Sequence, residues 1–485
     1  MVTMPLRRFH VPRTDVHPQL HLQQNINRAS KRLARMTGRA EPLEHELRAE
    51  LSKRMYLLES GPGSRIALPG SDVTQGSNFS RRCLGSGMAA AVGHQKGKGV
   101  AATNAGNGTT PANATVGASG AAGNSTGVSP LDSQAATNGG LTAANNPSAN
   151  NSLGLAIEAD DVAYIASVQI GTPPQNFNIL MDSGSADFWV GAENCQSQQG
   201  GCGNHTFLGT QSSSSFVQNN TQFQVTYGSG AVAGQLCQDN VVMAGLALNN
   251  HSFGVATQES VQFASSSVPF DGLMGLAKST LSQQKVQTPV EALAANGLIS
   301  SAITSFKISR LADQLNDGEI TFGGLDSTKF DANTLATFPN VNAQGFWEGA
   351  VDAITVNGAD TGLTGRTAIL DTGTTLILAP PSDAQAIIQG MGGTCDQQQC
   401  TVPCTGNASL ALSFGNASFA IDPRDMAVLP VNPNDPTGDC TAGIQPGQIG
   451  AATEWLVGDV FLKNAYFSVD VNKNQISLAK LSTVS

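Results

Sequence analysis

From about residue 156 to the C-terminus, short runs of alternating apolar and polar residues are separated by Gly, Asn and Pro. The run over 162–170, which ends at Gly171, is typical. Alternation with a period of two between turn residues predicts β-strands, whereas helical spacing occurs at 289–295 and 382–391. We therefore predict a mainly antiparallel β structure. At about 330 residues it exceeds one hydrophobic core, so two lobes are expected, 156–335 and 336–485.

The first 155 residues lack this alternation. Residues 1–82 form a basic segment with Leu, Met and Arg at helix-like spacing over 24–35 and 42–58. Residues 83–155 are low-complexity Gly, Ala, Asn, Ser and Thr with almost no large apolar side chain. Such a composition cannot bury enough surface to order itself, so this stretch is predicted to be a flexible linker that is accessible to proteases.

The charge is divided unevenly along the chain. Residues 1–98 hold 16 Lys and Arg against 7 Asp and Glu, a net of +9, and residues 99–485 hold 10 against 29, a net of −19. We expect the basic segment to bind the acidic body; a tail for nucleic acid or membrane is the weaker alternative, because its basic residues are interspersed rather than in a run. No stretch approaches the ~20 apolar residues of a membrane span, and no signal peptide is visible.

The chain has eight cysteines. Cys195 and Cys202 enclose a short Gly/Gln loop that suits a local disulfide, and the cluster at 395–404 with Cys440 suits one or two more. Zinc is the alternative, but it needs four convergent ligands and no Cys-x-x-Cys pair occurs. Cys237 is predicted to be a buried free thiol.

Asn-x-Ser/Thr sequons accompany the cysteines, and together they favour a secreted, extracellular protein, with a vacuolar destination as the alternative. The sequon positions are Asn78, Asn107, Asn113, Asn124, Asn150, Asn204, Asn219, Asn250, Asn407 and Asn416.

Two segments of the β-rich region resemble each other. Residues 179–185 read Ile-Leu-Met-Asp-Ser-Gly-Ser, and residues 368–374 read Ala-Ile-Leu-Asp-Thr-Gly-Thr. Each is an apolar strand that ends in Asp-Ser/Thr-Gly. A lone tripeptide of this kind is usually only a turn. Two copies with matching flanks, one in each half, indicate a duplicated functional element.

Asp182 and Asp371 in these segments are candidate catalytic carboxylates. The apolar strand carries each carboxylate into a dry site, and Gly184 and Gly373 let the backbone turn sharply. Two carboxylates that share a site cannot both ionise cheaply, so one keeps a proton. The ionised member can then take a proton from a water while the protonated member polarises a carbonyl.

A second repeat supports the duplication. Leu273-Met274-Gly275 follows the first aspartate, and Leu456-Val457-Gly458 follows the second at a similar distance. Each half therefore has an apolar strand that ends in Asp, followed by an apolar-apolar-Gly strand.

Residues 160–480 resemble the pepsin family of aspartic proteases, especially its secreted fungal members. The resemblance rests on the two aspartate motifs, the Gly-Thr-Pro-Pro-Gln turn at 171–175, and the segments 270–276 and 455–461. It implies an all-β, bilobal fold with two related β lobes and a cleft between them. It also implies an endopeptidase that hydrolyses peptide bonds in proteins at acid pH without a cofactor or metal.

The resemblance assigns a flap over the substrate. Tyr227, Gly228 and Ser229 match the tip of the family's β-hairpin flap, where the tyrosine and the serine hydroxyl contact the substrate. Trp189 matches the residue that hydrogen-bonds the flap tyrosine.

Further roles follow from the same resemblance. Ser185 and Thr374 match the hydroxyls that orient the two aspartates, and Leu180 and Leu273 match apolar walls of the pocket before the scissile bond. The family pattern also implies two disulfides, Cys195–Cys202 and Cys404–Cys440. A local bridge between Cys395 and Cys400 would leave the pairing of Cys404 open.

Other functions are less consistent with the residues. Five of the seven His precede residue 99, and His205 and His251 lie inside sequons, where exposed loops are expected, so little remains for a His-based hydrolase. The serious alternative is a catalytically inactive pepsin-like binding or inhibitor protein. Such proteins usually lack an aspartate, the flap tyrosine or a motif glycine, and this chain has all of them.

The basic segment 1–82 resembles a propeptide of the fungal type. We expect it to cover the cleft at neutral pH as an intramolecular inhibitor of a zymogen and to be released as body carboxylates protonate. Arg81-Arg82 is a candidate processing site. The mature protein is expected to be a monomer that acts on proteins and peptides.

Overall fold

The computed structural model describes residues 128–482, apart from 199, 228–229, 267, 397–398, 433 and 448–452. All of these belong to one compact unit. The predicted propeptide 1–82, its helices and the first part of the predicted linker lie outside the described residues. None of the helices in the described part of the chain has the length and apolarity to cross a bilayer.

Strands dominate this unit, with a few short helices. Strands β1–β14 are Leu141–Thr142, Ser152–Gly154, Ala156–Glu158, Ala163–Ile170, Gln175–Asp182, Phe188–Ser197, Gly200–Gly201, Val217–Thr226, Ala231–Met243, Leu246–Glu259, Gly272–Gly275, Ile303–Lys307, Glu319–Phe322 and Ala336–Pro339. Strands β15–β29 are Glu348–Val351, Ala353–Val356, Ala359–Asp360, Arg366–Leu370, Ile377–Ala379, Thr394–Cys395, Cys400–Pro403, Leu410–Phe414, Ala417–Ala420, Ala427–Pro430, Asp439–Ala442, Ile444–Pro446, Glu454–Val457, Tyr466–Asp470 and Gln475–Ala479. Helices α1–α6 are Pro130–Asn138, Val261–Ala264, Pro289–Ala295, Pro381–Gly390, Pro423–Met426 and Asp459–Leu462, and short 3-10 turns span Ser279–Leu281, Leu311–Asp313 and Ala332–Thr334.

The same four-strand arrangement occurs twice, which confirms the predicted duplication. In the ten-stranded sheet, β5 lies parallel to β11, which is antiparallel to β6, and β6 lies parallel to β10. In the five-stranded sheet, β18, β27, β19 and β26 repeat these relations in the same order. The fold is therefore all-β and bilobal, with one aspartate motif at the end of a central strand in each half.

Two glycines make the close approach in each arrangement possible. A Cβ on Gly275 would lie 2.5 Å from Ala186 Cα, and one on Gly458 would lie 2.0 Å from Thr374 O. Because both neighbours are backbone atoms, a side chain at either position would force the aspartate loop to move. The apolar-apolar-Gly repeat in the sequence therefore has a packing reason.

A six-stranded sheet joins the two halves, in the order β14-β29-β28-β12-β13-β2. The boundary expected at 335/336 falls between β13 and β14, which belong to this one sheet. The sequence division into 156–335 and 336–485 therefore separates strands that the structure places together. Alternation along each strand could not reveal a partner so far away in sequence.

The structure also differs from the prediction of a flexible linker that extends to residue 155. Helix α1 begins after Ser129, whose Oγ accepts from Asp132 N at 3.1 Å, and Leu131 and Ala135 pack on the main core. Farther along, Asn145 N donates to Asn316 O at 2.8 Å. These few contacts order residues 128–155 on the body. These contacts could not be predicted from the average composition of residues 83–155.

Three disulfides are present among the described residues: Cys195–Cys202, Cys395–Cys400 and Cys404–Cys440. Cys237 is a buried free thiol. The expectation of an exposed loop at His251 is wrong: it lies in β10 with 7% of its surface exposed.

Candidate active site

Asp182 ends strand β5 and is fully buried. Ser185 Oγ donates to its Oδ2 at 2.5 Å, and Gly184 N donates to its Oδ1 at 2.9 Å. Each carboxylate oxygen therefore has a donor from the turn that follows the strand. The result is a carboxylate in one fixed orientation.

Asp371 directly follows strand β18 and is also fully buried. Thr374 Oγ1 donates to its Oδ2 at 2.7 Å, and Gly373 N donates to its Oδ1 at 2.9 Å. Atom for atom, this repeats the contacts of the first aspartate. Ser185 and Thr374 thus contact the aspartates to which the family resemblance assigned them.

The residues after the two aspartates tie the loops together. Ser183 N donates to Thr372 Oγ1 and Thr372 N donates to Ser183 Oγ, both at 2.9 Å. The Thr372 hydroxyl in turn donates to Met181 O at 2.9 Å, and the Ser183 hydroxyl to Leu370 O at 3.0 Å. Neither residue was predicted to have this role, although the matching hydroxyl in each motif was the available signal.

A third buried carboxyl group, Asp459, lies near the pair. Its N–H donates to Thr374 O at 2.8 Å, and neither of its carboxyl oxygens has a hydrogen-bond partner among the described residues. Burial, followed by the negative charge of Asp371, raises the pKa of Asp459 well above its usual range. A neutral carboxyl group is therefore favoured beside the aspartates, and sequence reasoning did not single it out.

Tyr227 lies at the tip of the β8–β9 hairpin. Trp189 Nε1 donates to its hydroxyl at 2.8 Å, and Tyr227 N donates to Gly230 O at 2.6 Å across the turn. The structure thus brings together the tyrosine and the tryptophan that the resemblance paired. The remaining predicted flap residues, Gly228 and Ser229, lie outside the described residues.

The predicted pocket residues Leu180 and Leu273 belong to one buried apolar cluster with Trp189 and Tyr227. Phe263 of helix α2 belongs to the same cluster, with its ring centroid 5.5 Å from that of Trp189 and 5.7 Å from that of Tyr227. Phe263 was missed, because nothing in its local sequence distinguishes it from other core aromatics.

The nearest approach to a metal-ligand group among the described residues is Cys195, Cys202 and Glu259, whose ligand atoms lie within 4.8 Å of one another. The two sulfurs are bonded at 2.04 Å and so offer no thiolates. Those cysteines are therefore structural rather than zinc ligands. The chemistry that the described site offers is that of two oriented, buried carboxyl groups beside an apolar wall.

Comparison with known proteins agrees with this geometry. A sequence model of the eukaryotic aspartyl protease family matches residues 163–481. The probable aspartic-type endopeptidase CTSD of Arthroderma benhamiae is 34% identical over 339 residues, which cover 69% of this chain and 64% of that protein. Cathepsin D of Dictyostelium discoideum is 30% identical over 66% of this chain and 84% of its own length.

Rhizopuspepsin of Rhizopus chinensis is 33% identical over 67% of this chain and 79% of its own length. For the Arthroderma relative, the match covers 64% of its length, which is less than two thirds. Residues 163–481, which match the family model, contain both aspartate loops, the hairpin and the duplicated strands described above. The chain belongs to the eukaryotic aspartyl protease family.

Proposed function

We propose that this protein is an aspartic endopeptidase in which Asp182 and Asp371 share one proton and activate a water. The observation that carries the proposal is the paired hydrogen bonding of the two buried carboxylates, whose loops are joined through Ser183 and Thr372. The ionised carboxylate takes a proton from the water as it attacks the peptide carbonyl. The protonated carboxyl group donates its proton to the carbonyl oxygen, giving a tetrahedral intermediate.

The remaining site residues position the pair and the substrate. Ser185 and Thr374 hold the two carboxyl groups in fixed orientations for the reaction with water. Tyr227, fixed by Trp189, covers the substrate from the hairpin, and Leu180 and Leu273 form an apolar wall for the side chain before the scissile bond. The substrates are proteins and peptides.

Asp182→Asn and Asp371→Asn test the assignment. Each replaces a carboxyl group by an amide of the same shape and should lower kcat/KM for a quenched fluorescent peptide by at least about a hundredfold. Asp360→Asn, at an exposed aspartate, is the matched control and should keep full activity. Activity that survives in either dyad variant would reject the assignment. A wild-type protein that binds peptide without cleaving it would favour the inactive binding protein.

We further propose that the enzyme works at acid pH and is made as a zymogen, with segment 1–82 as its inhibitor. The charge asymmetry supports this, because body carboxylates that protonate release a basic segment. The full chain should be compared with one that starts at Val128, since residues 128–155 pack on the body. Equal activity of the two from neutral to about pH 4 would contradict the zymogen proposal.

We also propose that the protein is secreted or vacuolar and that it is a monomer. Three disulfides support an oxidising compartment. Fractionation of the native host's medium and vacuoles, with size-exclusion chromatography of the product, tests both.

A further inference from the structure

A polar cavity lies on the side of β10 that faces helix α3 and the loop before it. Its volume is about 390 Å³, within the range of roughly 300–1,000 Å³ found for small-ligand sites. Carboxamide groups from both sides and one hydroxyl group from β10 line it, and none of the described residues that line it is Asp, Glu, Lys or Arg. The polar lining residues are Asn249, Asn250, His251, Ser252, Gln287 and Asn296.

Strand β10 is irregular where it borders the cavity. Its register with β9 shifts between Leu248 and His251, and Asn250 in this bulge has a left-handed φ of 53°. Asn adopts this conformation more readily than most residues. Asn250 N donates to Asn240 Oδ1, and the Asn250 side chain is exposed at the cavity.

His251 borders the cavity, but its imidazole packs toward the core between aromatic side chains. It stacks against Phe188 and Phe253, is 7% exposed, and its Nε2 has no hydrogen-bond partner in the described part of the chain. Burial lowers the pKa of His251 to about 4, so the imidazole is neutral above that pH.

Asn250, His251 and Ser252 also form an Asn-x-Ser sequon. We propose that Asn250 is N-glycosylated and that the first N-acetylglucosamine of its glycan packs into this cavity. The transfer forms a bond between Asn250 Nδ2 and C1 of the sugar and breaks the C1–O bond to a lipid diphosphate donor. One Nδ2 proton is lost, and the diphosphate leaves as an anion.

The cavity chemistry favours a sugar over other occupants. An uncharged surface of amides and a hydroxyl matches the hydroxyl and acetamido groups of a neutral saccharide, whereas it offers a phosphate or carboxylate no counter-charge. Attachment at Asn250 holds the sugar at high effective concentration, so weak contacts suffice. The inference requires entry into the secretory route but not peptidase activity.

The experiment uses the full chain, secreted from a yeast behind a supplied leader. Glycopeptide mass mapping should find Asn250 occupied; an unmodified Asn250 overturns the proposal. The native protein is then treated with peptide N-glycosidase, which hydrolyses the side-chain amide bond between Cγ and Nδ2 of the modified asparagine. The Asn250 glycan should be released at least about tenfold more slowly than from denatured protein, because the bond is shielded by the seated sugar.

A cavity variant separates shielding by the cavity from general crowding. Gln287→Ala combined with Asn296→Ala leaves the sequon intact, so occupancy should persist while native release becomes faster. If release from this variant is as slow as from the wild type, the sugar is not seated in the cavity.

A sequon variant tests whether the seated sugar stabilises the fold. Ser252→Ala prevents glycosylation and also removes the hydrogen bond that Ser252 Oγ accepts from Gln238 Nε2 at 3.2 Å. Gln238→Ala removes that bond alone and is the matched control. We expect Ser252→Ala to lower Tm by roughly 2 °C more than Gln238→Ala. Equal Tm values for Ser252→Ala and Gln238→Ala would contradict the proposal that the sugar packs into the cavity.

Discussion

Replacing Glu259 by glutamine should remove much of the pH dependence of stability. Glu259 ends β10, is 6% exposed, and lies with its carboxyl group against the Cys195–Cys202 disulfide. Burial, followed by the negative charge of Asp271, raises the pKa of Glu259 from 4.5 to about 8. The folded protein therefore holds this proton more tightly than the unfolded chain does.

The sign and size of the effect follow from that difference. Below about pH 4.5 both states are protonated and Glu259 has no effect; as pH rises to about 8, the unfolded state alone ionises and stability falls. At about 1.36 kcal/mol per pH unit, the free energy of unfolding falls by about 5 kcal/mol between about pH 4.5 and about pH 8. About 3 kcal/mol of this is already lost at pH 7. Glutamine mimics the protonated acid and escapes this loss.

Thermal unfolding measured across this pH range tests the prediction. Both proteins should carry Asp182→Asn to suppress self-digestion. The Tm values should coincide near pH 4, and the glutamine variant should be higher by about 4 °C near pH 7 for a unit of about 350 residues. Gln224→Glu, which adds a carboxyl group at an exposed position of β8, is the control and should show no such divergence. A Tm difference independent of pH would refute the reasoning.

Three further substitutions are informative. Thr372→Val leaves the buried Ser183 N–H without its acceptor and should lower the free energy of unfolding by about 2 kcal/mol, measured by urea unfolding; an unchanged value would contradict the role of that bond. Trp189→Phe removes the donor to Tyr227 and should lower kcat/KM by roughly tenfold with Tm little changed, as steady-state kinetics would reveal. Asp459→Asn mimics the neutral acid, so the Tm of this variant should match that of the wild type near pH 4 and exceed it as pH rises. The reason is that the raised pKa of Asp459 makes the folded wild type lose stability as pH rises. A variant that is less stable than the wild type by the same amount at all pH values would contradict this.

The parts of the site that could be predicted are those encoded in contiguous residues. Each aspartate loop carries its own donors within three positions, so the strand, the turn and the orienting hydroxyl appear together in the sequence. Helix α3 was predicted with its observed bounds from its local helical spacing, and in the structure Thr288 and Glu291 form a capping box at its start. Short-range chemistry of this kind needs no knowledge of the fold.

The parts that could not be predicted depend on distant pairing. Asp459 matters because the fold brings it beside Asp371, and Phe263 because α2 packs on the hairpin. His251 was placed in a loop because a sequon was taken to indicate exposure. Yet its neighbours Asn250 and Ser252 alternate with it along a strand, and that alternation places the imidazole on the inner face.

The six-stranded sheet constrains how the chain can be made. Strand β12 pairs with β28, with Ile303 opposite Asp470, so its partner is synthesised 167 residues later. Until then, β12 presents an open edge, a state that favours association with other chains. Each half therefore completes its fold only when the last strands arrive. We expect the two halves to unfold in one transition, because neither keeps this sheet without the other.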